Sequence, residues 1–313
     1  MNFNDFTGSE LYVYELAKGL IKLGHDVSVC SNIGEPMLSL AHKSGIKMYT
    51  LSEPPGFKMG DGKWFLKTNE GDIPSTDKTL YKISDVRFDV MHLNHKPITE
   101  FMVKLYPDIP TLCTIHSEVI SLEEPVIHET IKKYIAIRQE IKDYIVTRFS
   151  IPQDDVTVIH NPIDENRFKV KVKTDKNVKR RVLFVGTIDY LRKNTILDLV
   201  AKTKDNNEEF WLVGKDKDNY LNDILRGNEH VKHFKPTLSV ENYITQCDEV
   251  ASILLGRTCI EGWLCGKPSW IYDVDQYGEI KSKELFEPPI DVDKFKSSVV
   301  TPKIIDEYIK IIA

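Results

Sequence analysis

The feature that most limits how this chain can fold is a regular alternation of short β-rich apolar runs with longer stretches of helical spacing. Parallel strands covered on both faces read this way, because each parallel connection needs a crossover of a dozen or more residues, usually a helix. In the first half, strands are expected at 27–30, 47–50, 90–93, 112–115, 134–137 and 156–159. The clearest helix is expected at 10–23, where Leu11, Tyr14, Leu16 and Ile21 make an apolar face and Gly24 supplies a C-terminal stop tolerant of positive φ. The second half has its own series at 182–185, 210–213, 231–234, 250–254 and 269–272, predicting a second doubly wound sheet of five strands.

The 313 residues exceed one usual core. The basic run KVKVKTDKNVKRR, without helical apolar spacing, reads as a solvated linker and marks the boundary. The expected domains are 1–170 and 171–300, followed by a C-terminal helix at 301–313 with Ile304, Ile305, Tyr308, Ile309 and Ile312 on one face. The partner of that helix is not readable. The stretch 52–82, rich in Pro, Gly and charge, is expected to be a long excursion on the acceptor side. Two doubly wound domains are expected to bind ligands in the crevice at the C-terminal ends of their strands.

Composition excludes some classes. With 41% apolar and 28% charged residues there is no stretch of the ~18 uncharged apolar residues that a membrane span needs. A net charge of −5 argues against a protein that coats a phosphate backbone. Five scattered cysteines form neither a disulfide framework nor a zinc spacing. The start shows no targeting pattern, so the cytoplasm is the expected compartment. His92 and His95, three apart on a strand and its following loop, are not expected to share a metal, and Trp263 and Trp270 read as core or pocket wall.

The sharpest segment is LLGRTCIEGWLCGKPSWIY, from Leu254 to Tyr272. A buried strand ends, Gly256 permits a tight turn, Thr258 is expected to cap a helix reaching about Leu264, and Gly266 and Pro268 stop it. Backbone N–H groups at such a helix start, with the helix dipole, suit a diphosphate. Glu261, one turn in, suits the vicinal hydroxyls of a ribose. A plain strand, turn and helix packing unit accounts for the periodicity equally well.

TCIEGWLCGKP resembles the donor-site helix of the family 4 retaining glycosyltransferases, of GT-B fold. The likeness runs along nearly the whole chain: Gly8-Ser9-Glu10 resembles the family's glycine turn, FDVMH at 88–92 its Asp-Val-Val-His strand, and Thr114 to Glu118 its Thr-x-His-Asp/Glu site. VTVIHNPIDENRF resembles the segment closing the first domain, and FVGTIDYLRKN the donor loop. The resemblance implies that Lys193, helped by Arg192, neutralises a diphosphate; that Gly256, Arg257 and Thr258 face the phosphates; and that Glu261 holds the ribose. It further implies that Gly8 lets backbone approach the donor and that His116 lies near the reacting sugar. Lys193 and His116 are thus the candidate catalytic residues.

Departures from the pattern are as informative. The family's donor-loop Arg is Thr187 here and the first of its paired carboxylates is Ile253. Arg257 is expected to restore the lost charge, and the loop Asp275-Gln276-Tyr277-Gly278-Glu279 to offer a backbone nest for sugar hydroxyls. The central first strand looks missing, since MNFNDFT has no adequate apolar run: either translation starts upstream of Met1 or the sheet has a gap at its switch point. The expected activity is transfer of a sugar from a nucleoside diphosphate to an acceptor hydroxyl, with retention, no metal and no cofactor beyond that co-substrate. Glycan, lipid, protein, small molecule and modified nucleic acid all remain open as acceptor. The alternatives are a catalytically silent sugar-nucleotide-binding protein and an epimerase or hydrolase on the same fold.

Overall fold

The computed structural model describes residues 2–3, 8–52, 65–68, 71–72, 88–117, 123–170 and 179–313. The chain divides into two compact units, Met1–Pro162 with Ser297–Ala313, and Ile163–Lys296.

In the first unit the elements run β1 (Asn2–Phe3), α1 (Gly8–Lys22), β2 (Ser28–Ile33), α2 (Met37–Lys43), β3 (Lys47–Ser52), β4 (Phe65–Thr68), β5 (Gly71–Asp72), β6 (Met91–Asn94), α3 (Lys96–Leu105), β7 (Thr111–Ile115), β8 (Ile131–Ala136), α4 (Gln139–Phe149) and β9 (Val156–Val158). They form two sheets, in the orders β1-β2-β3-β4-β5 and β6-β7-β8-β9. The second is parallel throughout. In the first, β1, β2 and β3 are parallel, and β4 and β5 add antiparallel. Those two short strands are the described part of the excursion expected at 52–82, most of which lies outside the described residues.

Helix α1 spans both sheets because its apolar positions are too many for one. Tyr12, Leu16 and Leu20 pack with Leu112 and Ile135 of the second sheet, and Tyr14 and Ala17 pack with Val29 and Met48 of the first. The other face of the second sheet is covered by α3 and α4, through Met102, Val103, Ile141 and Ile145 against Leu93, Cys113 and Ile115.

The second unit holds β10 (Arg181–Val185), α5 (Tyr190–Asp205), β11 (Glu209–Val213), α6 (Leu221–Leu225), β12 (Val231–Phe234), α7 (Glu241–Ile244), β13 (Glu249–Ile253), α8 (Arg257–Leu264), β14 (Ser269–Val274) and β15 (Ile280–Phe286). Its sheet has six strands, not the five expected, in the order β12-β11-β10-β13-β14-β15. The extra strand, β15, is an antiparallel edge with four consecutive charged or polar residues in IKSKELF, so it carries no continuous apolar signal. One apolar cluster on each face, around Leu183, Val250 and Ile260 and around Phe184, Leu199 and Phe210, covers the sheet.

The units begin and end differently from the sequence boundaries. Ile163 and Phe168 already pack in the second unit, where Ile163 N–H donates to Phe295 O at 3.0 Å. The last helix, α9 (Ser297–Ile312), starts before the predicted position and returns to the first unit, placing Val300, Ile304 and Tyr308 against Tyr12, Leu16 and Leu20 of α1. A Cβ on Gly19 would stand 2.4 Å from Thr301 Oγ1, so glycine sets how closely α1 and α9 approach. The predicted linker falls largely on residues 171–178, outside the described residues.

Candidate functional site

In the second unit the parallel strands β10, β11 and β13 end together, and their exits are shaped by glycines. A Cβ on Gly214, after β11, would sit 1.8 Å from Gly186 O, after β10, so the two loops touch backbone to backbone. A Cβ on Gly256, after β13, would meet Ser252 Oγ at 2.5 Å. Gly256 is extended (φ −84°, ψ 168°) and is itself the N-cap of α8, with no side chain capping the helix. The predicted cap, Thr258, is instead the second helical residue, and its hydroxyl donates to Val185 O at 3.5 Å. This differs from the sequence expectation because Gly256, with no Cβ to clash, reaches the cap position first.

All eight residues of α8 are buried. Arg257 and Glu261, one turn apart, form a buried ion pair with Nε 2.7 Å from Oε1. The sequence assigned these two residues to separate ligand groups; the fold joins them through an i, i+4 spacing that puts them on one helix face.

Helix α5 presents a different N-terminus. Asp189 is its N-cap and accepts from Arg192 N–H at 3.1 Å, while its other oxygen takes Arg192 Nη1 at 2.5 Å. Asp218 accepts from Tyr190 N–H at 2.8 Å. Carboxylates thus occupy the helix start that the donor loop leads into. Arg192 lies beside Gly186, whose Cβ would be 3.6 Å from its Cδ, and Lys193 Nζ stands 4.5 Å from the Tyr220 ring centre, a cation–π contact. Since Thr258 bonds Val185 and Arg192 flanks Gly186, the α8 start and the α5 cations flank the same strand end.

The 275–279 loop is the hairpin turn between β14 and β15. Its backbone concavity is filled from within: Asp275 Oδ1 accepts from Tyr277 N–H at 2.8 Å and Glu279 N–H at 3.0 Å, which, with Gly278, holds its carboxyl below the usual range. That corrects the expectation of a nest for sugar hydroxyls. Ile253, in place of the family's carboxylate, packs against the core of the second unit.

In the first unit, His116 follows β7. Its Nε2 is 2.8 Å from Asn94 Oδ1, its N–H donates to Glu123 Oε2 at 2.9 Å, and Tyr12 meets its ring edge-on at 4.9 Å. Burial, partly opposed by the Glu123 charge, lowers the imidazole pKa to about 4, so His116 is neutral at pH 7. His92 bonds Thr114 and Tyr308 at 2.6 Å each, and burial lowers it to about 3. His95 goes elsewhere: its Nε2 is 3.0 Å from Glu123 Oε1, while its buried Nδ1 has no hydrogen-bond partner among the described residues. His95 also holds a positive φ of 68°, a backbone strain that tends to gather at functional sites. Although burial would raise it, Glu123 is held below the usual carboxylate range by the hydrogen bond to His95 and by the nearby imidazoles. Sequence reasoning missed Glu123 and Asp218, which lie in polar loops without pattern, and weighed His95 only as a metal ligand. Gly8 is the first residue of α1, and a Cβ there meets nothing within 4 Å among the described residues, so the chain's own packing does not demand glycine at that place.

Two α/β units with parallel sheets and glycine-shaped strand exits define the GT-B class of glycosyltransferase fold. The solved structure of HepE from Anabaena in complex with UDP-glucose matches 99% of this chain and 95% of its own, with a TM-score of 0.64 and 15% identity. A glycosyltransferase from Rickettsia africae ESF-5 matches 98% of this chain and 86% of its own, with a TM-score of 0.61 and 14% identity. These likenesses are of fold. The sequence profile of Glycosyltransferase Family 4 matches residues 6–167, just over half of the chain, and the protein belongs to that family. The glycosyltransferase MJ1607 of Methanocaldococcus jannaschii is 24% identical over 213 residues, 58% of this chain and 52% of its own; the chain spans about half the length of that curated relative. Among the described residues no helix is long and apolar enough to cross a membrane.

Proposed function

We propose that this protein is a retaining glycosyltransferase that moves a sugar from a nucleoside diphosphate to an acceptor hydroxyl in the cytoplasm, with no metal and no cofactor beyond the donor. The observation that carries this reading is the N-terminus of α8, which has no side-chain cap and a glycine that packing requires. Backbone N–H groups there, aligned with the helix dipole, receive the diphosphate. Arg257 supplies the charge that Thr187 lacks, and by pairing with Glu261 it orients that carboxylate for the ribose hydroxyls. Helix α5 contributes cations and not its N-terminus, because Asp189 and Asp218 already occupy its N–H groups. Lys193 is the compact charge for the leaving diphosphate. Gly8, where a Cβ would meet nothing within 4 Å among the described residues, lets backbone approach the donor.

In the reaction the bond between the anomeric carbon and the diphosphate oxygen breaks, with its electron pair leaving on the diphosphate. The acceptor oxygen bonds the same face, and its proton passes to the departing phosphate oxygen, the base nearest to it on that face. Neutral His116, fixed through Asn94 and Glu123, positions a sugar hydroxyl.

HepE was solved with UDP-glucose, so UDP-sugars are the first donors to try. Incubation with a panel of nucleotide sugars and candidate acceptors, read by mass spectrometry and by NMR of the anomeric proton, tests the proposal. The expected result is a glycoside of retained configuration, formed equally with and without chelator. An inverted product refutes retention, and loss of turnover in chelator that added Mg²⁺ restores refutes metal independence. Binding with no product across the panel supports the silent-binder reading, which Ile253 in place of a sugar-facing carboxylate favours.

A further inference from the structure

Helix α5 carries two cations in its first turn, Arg192 and Lys193, and the fold treats them differently. Arg192 is ion-paired to Asp189, so its charge already has a counter-charge within the helix. Among the described residues no carboxylate pairs with Lys193, and its ammonium stands instead over the Tyr220 ring, 4.5 Å from the ring centre. Carboxylates are not lacking nearby. The loop after β11, which ends at Tyr220, also holds Asp216 and Asp218. Asp216 accepts from Tyr220 N–H at 3.1 Å with one oxygen and from Leu221 N–H at 3.2 Å with the other, so it faces the start of α6. Asp218 accepts from Tyr190 N–H at 2.8 Å and faces the start of α5. The loop thus turns both acids to backbone N–H groups and presents a neutral ring to Lys193.

That arrangement has a chemical consequence. An ion pair fixes a lysine but cancels the charge it would offer to a ligand. An aromatic face attracts an ammonium through its quadrupole and leaves the positive charge uncancelled. It also orders the long lysine stem before any ligand arrives, which removes part of the rotamer entropy that binding would otherwise cost. Tyr220 is itself held in place. Its half-buried ring packs against the apolar cluster around Phe184, Leu199 and Phe210. Its loop is bound to the loop after β10, where Ile188 N–H donates to Lys215 O at 2.8 Å, Lys217 N–H donates to Ile188 O at 3.0 Å, and Gly214 touches Gly186 backbone to backbone. The ring therefore has a fixed place relative to the strand end that α5 and α8 flank.

We propose that Tyr220 is a positioning residue of the donor site: its ring holds the Lys193 ammonium in place, with its charge uncancelled, for the diphosphate of a nucleotide sugar, and keeps that contact when the donor is bound. This rests on the role proposed for Lys193 as the cation of the leaving diphosphate. Tyr220 acts through Lys193 and takes no part in bond making or breaking.

Tyr220→Phe, which keeps the ring, and Tyr220→Leu, which keeps apolar bulk without it, separate this role from packing. Each is compared with the unaltered protein by two measurements: NMR of the Lys193 side-chain protons in protein labelled with 13Cε-lysine, assigned through Lys193→Arg, and UDP affinity by calorimetry. The ring is expected to shift the Lys193 protons upfield in the unaltered protein and in Tyr220→Phe, with and without UDP, and not in Tyr220→Leu. UDP affinity is expected to stay within about twofold in Tyr220→Phe and to fall by at least about threefold in Tyr220→Leu. Should Tyr220→Leu not fold, Tyr220→Met takes its place. A smaller fall in Tyr220→Leu, or tighter binding, would overturn the inference and leave the donor site standing. So would an equal loss in Tyr220→Phe, which would assign the effect to the hydroxyl, or disappearance of the upfield shift on adding UDP, which would show that the contact is given up to the donor. UDP binding to none of the proteins, the unaltered one included, would overturn the donor-site reading and the inference with it.

Discussion

Replacing Arg257 by Met tests the buried pair most directly. The side chains of Arg257 and Glu261 are 7% and 4% exposed and stand 2.7 Å apart inside a fully buried helix. Met keeps most of the volume and removes the guanidinium charge from beside Glu261. Breaking one side of a buried pair costs about 3–5 kcal/mol, whereas replacing both members by apolar residues of similar volume is roughly neutral. Arg257→Met is thus expected to lose about 3–5 kcal/mol, and Arg257→Met/Glu261→Leu to regain most of it. Urea unfolding followed by tryptophan fluorescence reads this, because three of the four tryptophans, Trp211, Trp263 and Trp270, lie in the second unit. UDP affinity, measured by calorimetry on the same proteins, separates a structural pair from a binding one: the double variant, though stable, is expected to bind at least tenfold more weakly. A loss below about 1 kcal/mol in Arg257→Met would refute the energetic reasoning, and a stable double variant that binds UDP like the parent would refute the role of the pair in binding.

Other outcomes follow from the same contacts. With folded pKa values near 4 for His116 and 3 for His92, the unfolded chain takes up protons below about pH 6.5 that the folded one refuses. Stability is thus level above about pH 6.5 and falls as pH drops, by about 2 kcal/mol per histidine at pH 5; unfolding temperatures at pH 7.5 and 5 check this, and His116→Asn should shrink the difference. Gly214→Ala drives a Cβ into Gly186 O and is expected to cost at least about 2 kcal/mol in urea unfolding. Ile304→Ala empties a fully buried position between α9 and α1 and should cost about 2–5 kcal/mol, with faster hydrogen exchange in α1. Lys193→Ala is expected to lower transfer from UDP-sugars more than tenfold with little change in stability, as the contact it gives up is a cation–π contact with the half-buried Tyr220 ring; unchanged kcat would remove Lys193 from the reaction.

The fold was legible where period and length agreed. Strands Arg181–Val185 and Glu209–Val213 carry apolar runs closed by Gly186 and Gly214, and α1 carries its face in plain spacing. What escaped were features whose signal is not apolar. Strand β15 is held by its hairpin to β14, and its exposed lysines and glutamates hide it from any hydrophobic pattern. The cap of α8 was misplaced by two residues because Thr is the better N-cap in isolation, while Gly256 is favoured by Ser252, four residues earlier in sequence, whose Oγ would stand 2.5 Å from a Cβ at that place. The attachment of α9 to the first unit depends on Gly19 and Thr301, far apart in the chain, and no local pattern records it.

The same distinction explains the candidate site. Residue types pointed to Glu261, Arg257, Lys193 and His116, but type does not fix charge state or partner. The fold turns Arg257 and Glu261 into one unit, gives Asp189 and Asp218 the helix start beside Lys193, and keeps His116 neutral. An anion arriving at this strand end therefore meets two helix starts of opposite character, one uncapped with an arginine in its first turn and one already held by two carboxylates. Electrostatics selects the first, because placing a diphosphate at the second adds repulsion from Asp189 and Asp218 before any contact with Lys193 is made. Asp189→Asn should accordingly strengthen UDP binding in low salt, since it removes a repelling charge while keeping an N-cap, and the gain should shrink as salt is added. Weaker binding would show that Asp189, by holding Arg192 in place, serves the donor more than its charge opposes it.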